Sequence, residues 1–292
     1  MTLKKLTSLT ALAAAGALAL SACSPSNSGG GSSETTATAN GETSSSDSLR
    51  IGIKFDQPGL GFREGNNAPT GFDVDVARAV AEKIGVSEDN ITWVQTPSAN
   101  RENALENGEV DMIFATYSIT DARKERVAFA GPYFVAGQDL LVRADEDSID
   151  GPESLDGKNL CSVTGSTSAQ KIKDDYAEGV NLVEQGGYAE CLTYLESGQV
   201  DAVTTDDIIL AGLAGTANNA GKFKVVGEPF SVERYGVGIP KDSKYCEDIN
   251  TAIEEMKDSG KWEESLKSNT EGTGYEYNEE LNSGEEAEFE SC

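Results

Sequence analysis

Two residues of this chain could bind the opposite ends of a zwitterion. Arg123 follows a short apolar segment, Val110–Ala115, and lies in the first turn of a helix that Thr120 and Asp121 predict. The dipole at the amino end of a helix favours anions, so a cation there suggests an external anion, although a surface arginine is the alternative. Asp206 follows a second apolar strand, and its carboxylate could bind an amine. Together the two charges would suit a zwitterion held between them.

The segments that lead to these two residues resemble each other. LENGEVDMIFAT at Leu105–Thr116 matches LESGQVDAVTTD at Leu195–Asp206, and each copy ends a helix at Gly and enters an apolar strand through Val-Asp. Ligands of open α/β sheets bind beyond the carboxyl ends of the strands. We therefore predict two related α/β lobes with a cleft between them. A chance similarity of two helix–turn–strand units is the alternative.

Composition limits the classes of function. The chain has 292 residues, which suggests roughly two domains, and a formal charge of −27. Such an acidic surface argues against nucleic acid, whose phosphates need lysine and arginine. The chain has no histidine, which excludes Ser-His and Cys-His nucleophile pairs and histidine-ligated metals. We expect neither catalysis, nor a metal, nor a cofactor.

The first residues predict export. Residues 1–22 combine a basic start, an apolar run and small residues, which is typical of a secretory signal. Leu20-Ser21-Ala22-Cys23 resembles a bacterial lipobox, and this resemblance implies lipidation of Cys23 and anchoring outside the cytoplasmic membrane. A plain cleaved signal with an incidental cysteine is the alternative. The rest of residues 23–48 is rich in Ser, Gly and Thr and predicts a flexible tether.

The other four cysteines predict disulfides, because their number is even and the chain is exported. Cys161 and Cys191 both fall in the second predicted lobe and should pair. Cys246 and Cys292 would then fasten the acidic C-terminal tail, residues 271–292, to the body. Free thiols are the alternative.

The segment Gly71-Phe72-Asp73-Val74-Asp75-Val76 resembles the signature of the polar amino-acid family of extracellular solute-binding proteins. The resemblance covers nearly all of residues 49–268 and includes four further motifs: Ser118–Arg123, Gly131–Phe134, Gly165–Ser168 and Asp201–Asp206. It implies a two-lobed α/β fold of the type II periplasmic-binding-protein kind with two hinge strands. It also implies capture of a free amino acid for an ABC importer. The phrases KFDQPGLG, PSANRE, LCSVTGSTSAQK and DAVTTD are most similar to glutamate-binding members.

The resemblance assigns roles around the α-carbon of the ligand. Arg123 would bind the α-carboxylate as a bidentate fork, with Ser118 and Thr116 adding hydrogen bonds. Asp206 would bind the α-ammonium, and Thr167 would bind the α-carboxylate from the second lobe.

For the ligand side chain, the resemblance points to Lys54, Ser98 and Arg101, with Tyr188 nearby. Two cations fit a distal carboxylate, since a neutral ligand would leave them poorly paired in a closing cleft. We therefore expect L-glutamate or L-aspartate. Lys54 as a solvated strand end, Arg101 as a helix surface residue and Tyr188 as a packing aromatic are the alternatives.

The expected lobes comprise residues 49–142 with 236–270, and residues 143–235. We expect the hinges near Val142–Ala144 and Tyr235–Gly238, with ligand binding closing the lobes and the closed form docking on a membrane permease as a monomer. An ectodomain partner of a sensor and a small-acid dehydratase on the same scaffold are the rival functions.

Overall fold

A computed structural model describes residues 48–175 and 179–292. The predicted signal, Cys23 and nearly all of the predicted tether lie outside these residues. The strands, in chain order, are β1 (Leu49–Ile53), β2 (Asp56–Gln57), β3 (Gly61–Phe62), β4 (Ile91–Gln95), β5 (Met112–Phe114), β6 (Ala128–Ala136), β7 (Gln138–Arg143), β8 (Asn159–Val163), β9 (Asn181–Gln185), β10 (Ala202–Asp206), β11 (Phe223–Val225) and β12 (Glu233–Ile239). The helices are α1 (Phe72–Lys83), α2 (Arg101–Glu106), α3 (Asp121–Lys124), α4 (Thr167–Asp175), α5 (Tyr188–Glu196), α6 (Asp207–Gly215), α7 (Cys246–Asp258), α8 (Lys261–Thr270) and α9 (Glu279–Ser283).

The first sheet has the strand order β4-β1-β5-β12-β6. Strand β1 runs parallel to β4 and β5, whereas β12 runs antiparallel to β5 and β6. Helix α1, predicted from the periodicity of Thr70–Gly85, is amphipathic and buries Phe72, Val76 and Val80. We call this sheet and the helices that pack on it, α1, α2, α3, α7 and α8, lobe I.

The second sheet has the strand order β11-β7-β10-β8-β9, and α4, α5 and α6 pack on it to form lobe II. The two repeated segments of the sequence take equivalent places. One leads from α2 into β5 at the centre of the first sheet, and the other leads from α5 into β10 at the centre of the second. The similarity of the segments therefore reflects equivalent helix–strand units.

The chain passes twice between the sheets. Strand β6 of lobe I ends at Ala136 and β7 of lobe II begins at Gln138, so the first passage is at Gly137. The expected boundary after Val142 lies within β7 instead, because both strands are almost wholly buried and no change of pattern marks the change of sheet. The second passage lies between β11 and β12, upstream of the expected Tyr235–Gly238, since β12 pairs with strands of lobe I.

The C-terminal segment, residues 271–292, is packed against lobe I, although its acidic sequence predicts little to bury. Asn282 is 8% exposed; its side chain accepts the N–H of Val135 and donates to the carbonyl of Val135, both at 2.8 Å. These two bonds satisfy part of the free edge of β6.

Both expected disulfides, Cys161–Cys191 and Cys246–Cys292, are present, and the second joins α7 to the chain end. Within the described ranges, every helix is too short or too polar to span a membrane.

Candidate functional site

A small cavity lies between the lobes, lined by residues at or after the carboxyl ends of strands of both sheets. Lobe I contributes Gln57, Ser98, Arg101, Thr116, Ser118 and Arg123. Lobe II contributes Ser166, Thr167, Ser168, Tyr188, Thr205, Asp206 and Ile209. Every residue predicted to contact the ligand is among them except Lys54. Lys54 lies beside the cavity, with its Nζ 3.3 Å from Ser98 Oγ.

Gln57, Ser166, Ser168 and Ile209 line the cavity without being singled out by the sequence. The Nε2 of Gln57 lies 3.1 Å from Thr116 Oγ1, which places it within the proposed ligand contacts. A single polar residue in a two-residue strand or at a helix start carries no periodic signal, and an isoleucine in a helix looks like any core residue. Two sequence signals could have identified the polar residues. Gln57 belongs to the KFDQPGLG phrase, and the two serines belong to the small-residue segment at the start of α4.

The guanidinium of Arg123 reaches both lobes. Thr120 caps α3 by accepting the N–H of Arg123 at 3.2 Å, which fixes the start of the arginine side chain. Its Nη1 donates to Ser118 O at 2.7 Å, and its Nη2 donates across the cleft to Gly165 O at 3.1 Å. Glu102 lies 3.4 Å from its Nε. Apart from Glu102, the hydrogen-bonding partners are neutral carbonyls, so the cation remains suited to an anionic ligand.

Arg101 is a second buried cation, at the start of α2. Its Nη1 donates to Ala115 O at 2.9 Å and its guanidinium lies 4.2 Å from the centre of the Tyr117 ring. Its Nε is buried without a hydrogen-bonding partner among the described residues. Burial, and then the charge of Arg123, lower the pKa of Arg101 to about 10, so it remains protonated at neutral pH. The alternative of a helix-surface arginine is excluded, because Arg101 is 2% exposed.

Lys54 is the third buried cation, immediately after β1, and is 2% exposed. Its Nζ lies 3.7 Å from Asp56 and 5.7 Å from the centre of the Tyr188 ring. Burial lowers the pKa of Lys54, partly opposed by the charge of Asp56. The alternative of a solvated strand end is therefore excluded. Three buried cations with weak anionic pairing favour a ligand that brings negative charge.

Asp206, the last residue of β10, provides the opposite charge. It is 4% exposed, and its Oδ2 accepts the hydroxyl of Tyr235 at 2.6 Å. Its Oδ1 is buried and has no partner in residues 48–175 and 179–292. Burial and the nearby Glu233 carboxylate raise the pKa of Asp206 well above its ordinary value. A bound ammonium would satisfy Oδ1 and favour the ionised carboxylate.

Thr116 adopts an unusual backbone conformation at the end of β5. Its φ is 45°, in the left-handed region that non-glycine residues rarely occupy. Its N–H donates to the buried Asp73 Oδ2 at 3.0 Å, and the other oxygen of Asp73 accepts the Tyr133 hydroxyl at 2.8 Å. Burial raises the pKa of Asp73 to about 6, which these hydrogen bonds partly oppose. Backbone strain of this kind is concentrated at functional sites.

Two residues of lobe II complete the predicted set. Thr167 begins α4, and its Oγ1 donates to Glu233 at 3.4 Å. The hydroxyl of Tyr188 donates to Thr205 Oγ1 at 2.6 Å, and its backbone N–H donates across the cleft to Asp56 at 3.2 Å. Tyr188 therefore lies at the cavity and also helps to hold the lobes together.

The enclosed cavity has a volume of about 10 Å³, which is room for about one water molecule. An amino acid could enter only if the lobes separated. The hydrogen bonds that now join the lobes across the cleft would then have to be replaced by bonds to the ligand. A larger groove of about 780 Å³ lies between the C-terminal segment and lobe II, but two of its carboxylates, Asp139 and Asp207, already accept backbone N–H groups, and the third, Glu276, is exposed. We therefore place the functional site at the smaller cavity, where unpartnered charges converge. The described part of the chain holds no cluster of three or more acidic, cysteine or histidine side chains that could hold a metal.

Known proteins share sequence with this chain across both lobes. The sequence model of the bacterial extracellular solute-binding proteins, family 3, matches residues 49–270. The glutamate-binding protein GluB of Corynebacterium efficiens is 48% identical over 233 residues, which cover 76% of this chain and 78% of the relative. The glutamine-binding protein GlnH of a Bacillus subtilis ABC transporter is 36% identical over 225 residues, which cover 76% of this chain and 81% of the relative.

Solved structures show the same fold. An ancestral arginine-binding protein bound to glutamine has a TM-score of 0.70 at 36% identity, covering 76% of this chain and 97% of that structure. The expected two-lobed fold of the type II periplasmic-binding-protein kind is therefore confirmed. Because the family match spans both sheets, the chain belongs to family 3 of the bacterial extracellular solute-binding proteins, which bind solutes rather than transform them.

Proposed function

We propose that this protein captures free L-glutamate or L-aspartate outside the cell and delivers it to an ABC importer. The observation that carries this proposal is that two buried cations, Arg101 and Arg123, line one small cavity with a third, Lys54, beside it, opposite a buried carboxylate with an unpartnered oxygen. A dicarboxylic amino acid carries two negative groups and one positive group. Its charges therefore complement the site.

In this proposal the ligand's α-carboxylate replaces the carbonyl partners of Arg123, with Ser118, Thr116 and Thr167 adding hydrogen bonds. The α-ammonium binds Asp206. Several charge-assisted hydrogen bonds in a closed site can supply the roughly −8 kcal/mol that micromolar affinity requires. Since both lobes contribute groups, the ligand stabilises the closed arrangement over the open one. The chain segments at the two passages between the sheets act as the hinges.

The distal carboxylate binds Lys54, Ser98 and Arg101, and the Tyr188 ring lies beside it. The 48% identity to a protein named for glutamate supports this choice. Glutamine is the competing ligand, because a relative at 36% identity is named for it. A glutamine side chain would leave Lys54 and Arg101 without the anion that offsets their burial.

Calorimetric titration with glutamate, aspartate, glutamine and asparagine tests the proposal. Wild-type protein should bind the acids more tightly than the amides. Lys54→Met, which removes the charge but keeps an unbranched side chain, should weaken glutamate binding roughly tenfold or more and glutamine binding far less. Lys222→Met, at an exposed lysine that pairs with Glu196, is the matched control and should change neither. Equal losses for glutamate and glutamine in Lys54→Met would refute the assignment of the distal subsite.

We further propose that residues 1–22 are cleaved as a signal, that Cys23 carries the lipid, and that residues 23–48 tether the lobes above the membrane as a monomeric unit. Labelling of cells with a fatty-acid analogue should mark the wild-type protein but not Cys23→Ala. Wild-type protein that took up no label would contradict the lipid anchor while leaving amino-acid binding untouched.

A further inference from the structure

One face of β12 holds the ligand groups of the opposite lobe. Glu233 and Tyr235 are two residues apart on this strand, so their side chains point to the same side of the sheet. Glu233 accepts a hydrogen bond from the hydroxyl of Thr167, and Tyr235 donates one to Asp206. Both partners belong to lobe II, whereas β12 is paired within lobe I.

Tyr235 also connects the two halves of the site through its backbone. It forms an antiparallel bridge with Ser118, flanked by the bonds from Ile119 N to Arg234 O at 2.8 Å and from Gly236 N to Tyr117 O at 2.9 Å. Its fully buried ring packs against aromatic rings of β6 at centroid distances of 5.7 and 6.1 Å. The position of its hydroxyl is therefore set by lobe I.

We propose that Tyr235 and Glu233 are positioning residues for the end of the ligand that carries its α-ammonium and α-carboxylate. Tyr235 holds one carboxylate oxygen of Asp206 so that the other remains free for the ammonium, and Glu233 holds the side chain of Thr167, which faces the α-carboxylate. This inference rests on the proposed binding of an amino acid and adds the residues that align its ammonium partner and set how readily that carboxylate ionises.

The two residues act on Asp206 in opposite electrostatic senses. The hydroxyl of Tyr235 stabilises the ionised carboxylate, whereas the negative charge of Glu233 opposes it. The other titratable or charged groups that act on Asp206 come from α3, α5, α6 and the C-terminal segment: Arg123, Tyr188, Asp207 and Tyr275. Lys171 of α4 lies 3.9 Å from the Glu233 carboxylate. Removing the two β12 contributions separately should therefore shift the ionisation of Asp206 in opposite directions, which a general loss of stability would not do.

Glutamate affinity measured from pH 4 to pH 8 tests this in the full chain. Tyr235→Phe keeps the ring packing and should weaken binding roughly tenfold or more, since it removes a hydrogen bond to a charged group. The loss of affinity on acidification should begin at a higher pH than in wild type. In Glu233→Gln, which can still accept from Thr167, that loss should begin at a lower pH. Tyr194→Phe removes a tyrosine hydroxyl on α5 that is not among these groups and should leave the wild-type profile in place.

Carbon-13 NMR of the Asp206 carboxyl, assigned with Asp206→Asn, provides a ligand-independent readout. Its titration midpoint should rise in Tyr235→Phe and fall in Glu233→Gln. An unchanged midpoint in both variants, or an affinity loss of the same factor at every pH, would overturn the positioning role. Failure of wild-type protein to bind any amino acid would overturn the proposed function, and the NMR midpoints would still decide the role of Tyr235. If Tyr235→Phe does not fold, the titration midpoint of Asp206 in Glu233→Gln decides whether β12 controls the ionisation of Asp206. A midpoint that does not fall would then overturn the proposal.

Discussion

The two lobes support their halves of the site in different ways. In lobe I, the ligand groups are held mainly by lobe I itself: Arg101 by Ala115 O, and Thr116 by Asp73. In lobe II, Asp206 and Thr167 are held by β12 of the opposite lobe. Lobe I therefore carries an assembled anion site, whereas the lobe II half is completed by its contacts with lobe I.

This difference separates two kinds of variant. A change in a lobe I cation removes an attraction that exists before the lobes meet, so it should weaken every ligand that uses that cation. A change at the surface where the lobes meet should act only through closure. The second kind can weaken binding without touching the ligand.

The largest effect is expected from Arg123→Ala. It removes the proposed partner of the α-carboxylate, which all amino acids share, and leaves a buried anion unpaired in the complex. We expect affinity for both glutamate and glutamine to fall at least 100-fold. Isothermal calorimetry with both ligands measures this. Arg126→Ala, at an exposed arginine paired with Glu106, is the control and should bind as wild type does. Glutamine binding that survived in Arg123→Ala would contradict the shared role of this arginine.

The sequence predicts the strong periodic elements and the charges better than it predicts their supports. Helix α1 and the two helix–strand repeats follow from apolar periodicity, and Arg123 and Asp206 follow from their places at strand ends. Gly137 could not be identified as the first passage, because β6 and β7 are both apolar and only pairing shows that they belong to different sheets. The burial of Asn282 could not be predicted either. It depends on two hydrogen bonds to the backbone of β6, a strand that is distant in sequence, and no local pattern indicates such bonds.

A smaller effect is expected from Gly212→Ala, which tests closure alone. Gly212 lies in α6 of lobe II, and a Cβ atom there would be 2.3 Å from Pro58 O of lobe I. The backbone oxygen cannot move aside independently, so the closed arrangement should be strained while the separated lobes are not. With overpacking costing about 1–3 kcal/mol, glutamate should bind roughly 5- to 150-fold more weakly.

Two measurements make Gly212→Ala specific to closure. The melting temperature of the ligand-free variant should not fall, because alanine is the better helix former by about 1 kcal/mol. Gly186→Ala is the control in the same lobe, since a Cβ at Gly186 meets no atom within 4 Å, and its affinity should match wild type. Wild-type affinity in Gly212→Ala would mean that the lobes do not approach each other this closely when ligand is bound.

The smallest effect is expected from Asp207→Asn. This variant tests how the buried charge of Asp207 affects the stability of lobe II, independently of ligand binding. Burial raises the pKa of Asp207 to about 6, above the ordinary value of 3.8. The folded protein therefore binds this proton more tightly than the unfolded chain, so the group's contribution to stability is greatest below pH 4 and falls as the pH rises to 6. Asparagine can still accept the N–H groups of Gly137 and Ile208 but carries no charge.

Asp207→Asn should consequently raise the free energy of unfolding by about 1–2 kcal/mol at pH 7 and have almost no effect at pH 4. Urea unfolding at the two pH values measures the difference. Asp89→Asn, at an exposed aspartate of lobe I, should show no such pH dependence. An equal gain at both pH values in Asp207→Asn would mean that packing, rather than the buried charge, determines the effect. A gain confined to neutral pH would show that the ionised carboxylate of Asp207 destabilises lobe II. Lobe II would then carry this cost directly beside Asp206, the carboxylate that it presents to the ligand.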